Sequence, residues 1–530
     1  MLKRYLGLVV CLSCLLGLCQ SQSAPAQALA SVSGVVINLG GERVPGAVVR
    51  QQATANMTYS TVDGSFTLGD LSEGITVTLT AWDEGYYPGG VEILPPQSGV
   101  TITLKPHPQG DNPDHEWLTS YAEPSDPIGC GHCMVACESW QDNAHAGSGT
   151  NPRFFSLYNG TDISGTVTVE PGYQLDFPNT AGNCATCHAP GAAANEPFST
   201  DMNTLAGVEE QGVFCDFCHK IGYAYLNPAT GLPYPNAPGV VSYRLYRPPA
   251  DTHMFFGPFD DVVRRVSYLE LEKKSQFCAP CHQFSFWGTP IYESFNEWLQ
   301  SPYPEQGIEC QSCHMKPTGV DYFVYPENGG LIRDPNLIAS HLQPGAADEI
   351  LLQNTVSMTL DVAQEGNQIT ASVTITNTDA GHHVPTDHPG RHMILTVKAY
   401  DEHGVLLNQI GGETVSDWGG AQAGLPGKAY AKVLADAFTG EYPVVNYWKQ
   451  TFIVGDNRIP AFSSDTSTYT FIAPTDDGTI TVEAELLFRR VFQAEIEARN
   501  WPVTDILMEH LKLDLPFESE WSVFIPFIER

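Results

Sequence analysis

Apolar and polar residues alternate with a period of two at both ends of the chain and lose that order in the middle. Near the start, Val32-Ser33-Gly34-Val35-Val36-Ile37 is followed by Pro45-Gly46-Ala47-Val48-Val49, an Asp63-Gly64 turn, Ser65-Phe66-Thr67-Leu68 and strict alternation over 75–80. A period of two puts every second side chain on one face of a strand. Short strands cut by Gly and Asp turns predict a β-sandwich over 31–106. The same period returns at about residue 350. Val356, Met358, Leu360 and Val362 alternate with Ser357, Thr359 and Asp361; Ile369, Ala371, Val373 and Ile375 follow suit, as do Ile480, Val482, Ala484 and Leu486. This predicts an antiparallel β-sandwich over 350–530. A short helix is predicted after Pro502, from Asp505 to Leu511. Residues 107–128, rich in Pro, Asp and Ser, read as a linker. The fold class is therefore mixed, with an irregular and partly α-helical core over 129–345 between two β-sandwiches.

The unpatterned middle carries the chemistry. It holds Cys184-Ala-Thr-Cys187-His188, Cys215-Asp-Phe-Cys218-His219, Cys278-Ala-Pro-Cys281-His282 and Cys310-Gln-Ser-Cys313-His314. Each is C-x-x-C-H, the attachment signature of c-type haem. Cysteines three apart share one side of a helical turn, so both sulfurs reach the vinyl groups of one porphyrin. The adjacent histidine then supplies the proximal ligand to iron. With 14 Cys and 16 His in 530 residues, chance would give roughly 0.01 such motifs. Zinc ribbons and disulfide frameworks need no histidine after every pair. Four covalent haems follow. Aromatics cluster beside the motifs (Phe214, Phe217, Phe277, Phe284, Phe286, Trp287) and suit packing against porphyrin faces.

The first residues read as an export signal. Lys3 and Arg4 precede an apolar run over 6–18 and an Ala26-Gln27-Ala28 cleavage site, giving a signal over 1–28. The alternative is an uncleaved anchor; Cys11, Cys14 and Cys19 lack the preceding Gly or Ala of a lipoprotein site. No later run is long and apolar enough for a membrane helix. A periplasmic or extracellular protein is expected. The formal charge of −34 argues against nucleic-acid partners and anionic membranes. It suits redox partner proteins with basic docking surfaces, although a solvated acidic surface is an equally plain reading.

The sixth iron ligand separates a carrier from a catalyst. A second strong ligand makes a carrier, and an open position makes a substrate site. Candidates outside the motifs are His145, His253, His341 and the pair His382/His383, with a weak preference for His383.

Residues 31–106 resemble the carboxypeptidase-regulatory-like domain through Gly34, Pro45, Gly46, Asp63, Gly64, Phe66, Gly85 and Tyr86. That resemblance implies no catalysis and leaves a spacer or surface-binding role. Residues 129–530 resemble multihaem c-type cytochromes related to the tetrahaem cytochrome of ammonia oxidation. The matching residues are Trp140, Asn143, His145 and Ala146; Ser275 with Cys278 to His282, then Glu297, Trp298, Ser301 and Pro302; Cys310 to Met315; and Asn377, Thr378, Ala380, Gly381, His382, Pro385 and Thr386. The resemblance implies close-packed bis-histidine haems and a C-terminal β domain that lends ligands.

One position departs from this family. Its first motif falls at Cys130-Gly131-His132-Cys133, where residue 134 is Met134 rather than His, and Cys137 follows. Three readings stay open. A fifth haem attaches through Cys130 and Cys133, with Met134 or a distant residue on iron. Alternatively, two of the three cysteines form a disulfide, or a five-coordinate catalytic haem sits there. The chain is expected to carry electrons through four haems, with the fifth open. The competing readings are an oxidoreductase of a small nitrogen or sulfur compound near Cys130–Cys133, and a cell-surface electron conduit attached by the N-terminal sandwich.

Overall fold

The structure is a computed structural model that describes residues 28–121 and 129–517. Nearly all of the expected signal segment, with Cys11, Cys14 and Cys19, lies outside the described residues, as do 122–128 of the expected linker. The described residues divide into two compact units, one of 28–81 with 89–104 and one of 82–88 with 105–121 and 129–517.

The smaller unit is built from strands where the alternation predicts them. Leu29–Asn38 pairs antiparallel with Ser65–Ser72 and parallel with Gln97–Pro106. A second sheet has the order Met57–Tyr59, Val48–Gln51, Val77–Trp82, Gly89–Ile93. Val32, Val36, Val49, Phe66, Leu68 and Leu79 are buried. The Asp63-Gly64 turn is stabilised locally: Asp63 Oδ1 accepts from the Ser65 N–H at 3.1 Å and from Ser65 Oγ at 2.7 Å. Gly64 has φ +74°, and a Cβ there would lie 2.9 Å from the Val36 carbonyl oxygen, so both conformation and space ask for glycine.

In the larger unit each attachment motif forms a single helical turn: Ala185–His188, Cys215–Cys218, Ala279–His282 and Cys310–His314. Short 3₁₀ turns and two-stranded ribbons connect them. The segment ahead of the motifs is tied to them. The Leu118 N–H and His115 Nε2 both reach Asp216 Oδ2, at 3.1 and 3.0 Å, and Arg247 pairs with Asp111 at 2.6 Å.

The C-terminal part of this unit contains two sheets. One has the order Val356–Glu365, Gln368–Asn377, Ser464–Ile472, Gln409–Gly411; the other runs Thr451–Asp456, Gly427–Asp436, His392–Tyr400, Gly478–Arg489, Ile506–Phe517. Ile369, Ala371, Val373, Ile375, Ile480, Val482, Ala484 and Leu486 are all fully buried, as their period requires, and side chains of both sheets belong to one apolar cluster. The helix expected over 505–511 is instead the start of the strand Ile506–Phe517, antiparallel to Gly478–Arg489. Leu511, Leu513 and Leu515 alternate with Lys512 and Asp514, and that period of two, matched to a long open strand edge, overrides a local helix. The helix of this region is Gln493–Arg499, ahead of Pro502.

Candidate haem-ligating site

The helical turns bring cysteines of different motifs together. Cys187 lies beside Cys281, and Cys278 beside Cys310. The motif of Cys184/Cys187 thus adjoins that of Cys278/Cys281, which adjoins that of Cys310/Cys313. Cys130 makes the same kind of contact with Cys215.

Opposite the motif histidines stand other histidines. The rings of His282 and His145 have centroids 6.2 Å apart, and those of His314 and His382 are 6.4 Å apart and 15° from parallel. One metal held between two imidazoles by bonds of about 2 Å separates ring centres by roughly 6 Å, so both spacings fit a single iron. His341 is within electrostatic reach of His219, and His388 within reach of His188. Each of the four motif histidines therefore has a second histidine nearby. Burial holds the pKa of His145, His188, His314 and His341 down to about 4, and that of His388 to about 3, aided by Arg391 and Arg153. A neutral imidazole is the ligating form.

At four of these rings the second nitrogen is engaged, which fixes ring orientation and leaves Nε2 for a metal. His145 Nδ1 contacts Gln343 Oε1. His314 Nδ1 meets the Pro344 carbonyl at 2.8 Å and His382 Nδ1 the His383 carbonyl at 2.8 Å. His219 Nδ1 lies 2.8 Å from the Phe256 carbonyl and 3.1 Å from Glu272 Oε1. Burial would lower the His219 pKa, but Glu272 outweighs it and raises the value to about 9. His388 differs, because its Nδ1 accepts from the Gly390 N–H at 3.1 Å. A neutral ring in that tautomer carries its proton on Nε2, so metal binding through Nε2 requires that hydrogen bond to break.

The residues that carry the family resemblance hold these rings in place. Asn143 Oδ1 accepts from the N–H groups of His145 and Ala146 at 2.7 and 3.1 Å. Asn377 Nδ2 donates to the His382 carbonyl at 2.8 Å. Glu297 accepts from Thr386 Oγ1 at 2.6 Å, the His383 N–H at 3.1 Å and Arg458 at 2.6 Å. Gly381 sits where a Cβ would come within 2.5 Å of the Tyr303 ring.

Not every candidate from the sequence faces a motif histidine. His383 turns away from His314, its Nδ1 lying 3.6 Å from Glu297. The weak preference for His383 passes to His382, because neighbouring residues leaving a turn point in different directions. His253 lies near Arg265, Lys220, Asp216 and His115 rather than opposite a motif ring. His388 was missed, since its only sequence signal is its position two residues beyond Thr386.

The atypical motif has its own surroundings. Cys130, Cys133 and Cys137 are unbridged, with Cys137 Sγ 3.1 Å from the Ser120 carbonyl. Met134 opens the helix Met134–Gln141 directly after Cys133. Asp216 and Lys220, both almost fully buried, form an ion pair within electrostatic reach of Cys130, and Lys220 Nζ also stands 3.9 Å from the Phe255 ring centre.

No family model and no curated protein matches the chain. Among solved structures, a penta-heme cytochrome c552 from Thermochromatium tepidum is similar over 73% of this chain and 97% of its own, with 20% identity and a TM-score of 0.54. The putative ApaA protein from Bordetella pertussis aligns with 30% of this chain and 90% of its own at 13% identity, but its TM-score of 0.13 carries no argument. The first likeness shows that this chain shares the fold of that protein.

Proposed function

We propose that this chain is an exported electron carrier of the multihaem cytochrome c type. The reading rests on the facing imidazoles, His282 with His145 and His314 with His382, each joined to a C-x-x-C-H turn. The cysteine pairs Cys184/Cys187, Cys215/Cys218, Cys278/Cys281 and Cys310/Cys313 would hold four haems c. His188, His219, His282 and His314 serve as proximal ligands, and His388, His341, His145 and His382 as their respective partners. Bound haem supplies a one-electron ferric/ferrous couple. The protein orients the rings of His145, His219, His314 and His382 through Nδ1, excludes water by burial and brings neighbouring motifs together for relay. Among the described residues no helix is long and apolar enough to cross a membrane. The acidic surface suits basic redox partners, and the N-terminal unit is a carboxypeptidase-regulatory-like sandwich acting as spacer or attachment module.

A fifth haem belongs to the same reading. The Cys130–Cys215 contact repeats the contacts between regular motifs, and Met134 occupies the proximal position after Cys133. Thioether ligation would raise that haem's potential. Intact mass of the exported protein counts the haems directly, at about 616 Da each. Four additions reject the fifth site, and fewer than four reject the assignment of the regular motifs. A fully low-spin spectrum that ignores added cyanide, nitrite and carbon monoxide is expected for the regular haems. Rapid ligand binding at these haems sinks the carrier reading and favours catalysis.

A further inference from the structure

The four motif histidines differ in what stands behind them. Glu272 Oε1 lies 3.1 Å from His219 Nδ1, within hydrogen-bonding distance, and Asp387 Oδ2 lies 3.6 Å from His282 Nδ1, too far for a good hydrogen bond but close enough for charge to act. His314 Nδ1 meets the neutral Pro344 carbonyl, with Asp387 a weaker electrostatic presence than at His282, and the His188 ring stacks on Phe154 with centroids 4.2 Å apart. Both carboxylates are built into the fold. Glu272 is nearly buried on the turn Glu270–Lys273. Asp387 is buried and held by the N–H groups of Glu293 and Ser294 at 3.2 and 3.1 Å and by Ser294 Oγ at 3.2 Å.

We infer that Glu272 and Asp387 are positioning residues that set redox potential, holding the haems of Cys215/Cys218 and Cys278/Cys281 below those of Cys184/Cys187 and Cys310/Cys313. The inference rests on the proposed assignment of His219 and His282 as iron ligands. A carboxylate behind a ligating imidazole makes the ring a stronger donor. Its negative charge also favours the iron state with one more positive charge, which is ferric, and low local dielectric strengthens that preference. Both effects lower the potential. Glu272 combines hydrogen bond and charge, so its effect exceeds that of Asp387. Within the close-packed set, the two carboxylate-backed haems would then be the last to accept electrons on reduction.

The test uses the holoprotein and its variants Glu272→Gln and Asp387→Asn in a spectroelectrochemical titration, with low-spin signals followed by electron paramagnetic resonance. Both changes keep shape and remove charge. Asparagine also tolerates the left-handed backbone of residue 387, φ +62°, and can still accept from the Glu293 and Ser294 N–H groups. In Glu272→Gln one haem should show at least a tenfold higher ferrous/ferric ratio at fixed potential, equivalent to 59 mV for one electron. A smaller shift in the same direction, at a different haem, is expected for Asp387→Asn. Unchanged potentials in a Glu272→Gln protein with full haem content and low-spin spectra overturn the inference while leaving the carrier reading intact. If the unmodified protein lacks low-spin haems at these motifs, the ligand assignment fails instead. Loss of haem in Asp387→Asn leaves the decision to Glu272→Gln, which sits on a separate turn.

Discussion

The C-terminal sheets and the haem-motif region belong to one compact unit but are organised by different physics. In the sheets, side chains alone fill the core, so a period of two appears in sequence and Ile369, Ala371, Val373 and Ile375 are buried together. In the motif region the repeated elements are helical turns of four or five residues, too short to carry a periodicity. Contacts between motifs such as Cys187–Cys281 and ring pairs such as His282–His145 mark its order instead. A core made of side chains announces itself locally. A core made to enclose a cofactor is written as a few attachment points, and its other contacts come from distant parts of the chain.

The sharpest way to separate the two regions is to remove an attachment point. Replacing both Cys310 and Cys313 by serine should delete one whole haem, about 616 Da by intact mass, while hydrogen exchange in the sheets stays near its original level. Loss of every haem would show that the motifs fold as one body and break the comparison.

Removing the second ligand is a smaller change. His382→Ala should keep the haem attached through Cys310 and Cys313 but turn it high-spin, with a new absorbance band and rapid binding of carbon monoxide. His383→Ala should leave the spectrum low-spin. The opposite result would return the ligand role to His383.

A core truncation in the sheets should act on stability alone. Phe471 is fully buried, and Phe→Ala at such a site costs about 3–5 kcal/mol. Denaturant unfolding of the sheets should shift accordingly while haem count stays constant. An altered spectrum before unfolding would show that the sheets control ligation beyond supplying His382.

The smallest effect lies in the N-terminal unit. Hydrogen bonds from Thr61 and then Ser65 hold the Asp63 pKa down to about 2, below its ordinary 3.8. A depressed folded pKa contributes stability that is present above the unfolded value and lost as pH falls through the folded one. Protection of amides around the 61–65 turn should therefore decline between about pH 4 and pH 2, as followed by hydrogen exchange in the full chain. Asp63→Asn should remove that part of the acid dependence, and an unchanged profile would reject the role of the turn.

Most strands were legible because their alternation is local, and the C-x-x-C-H motifs stand out because residue type and spacing recur within five positions. The last strand was read as a helix because 505–511 is short, and only its continuation through Leu513 and Leu515 reveals the period of two. His145, His341 and the pair His382/His383 were proposed because the motif count demands partners for iron, and the structure sets His145, His341 and His382 near motif histidines. His388 was not found, since nothing beside it marks it.

The sequence by itself carried the four C-x-x-C-H motifs and the alternating strands, because each depends on residues close together in the chain. The tertiary structure decided which histidine faces which: His145 reaches His282 across 137 positions and His382 reaches His314 across 68. It also placed Glu272 behind His219 and Asp387 behind His282. Such partners are chosen by packing between distant segments, and spacing along the chain carries no record of that choice.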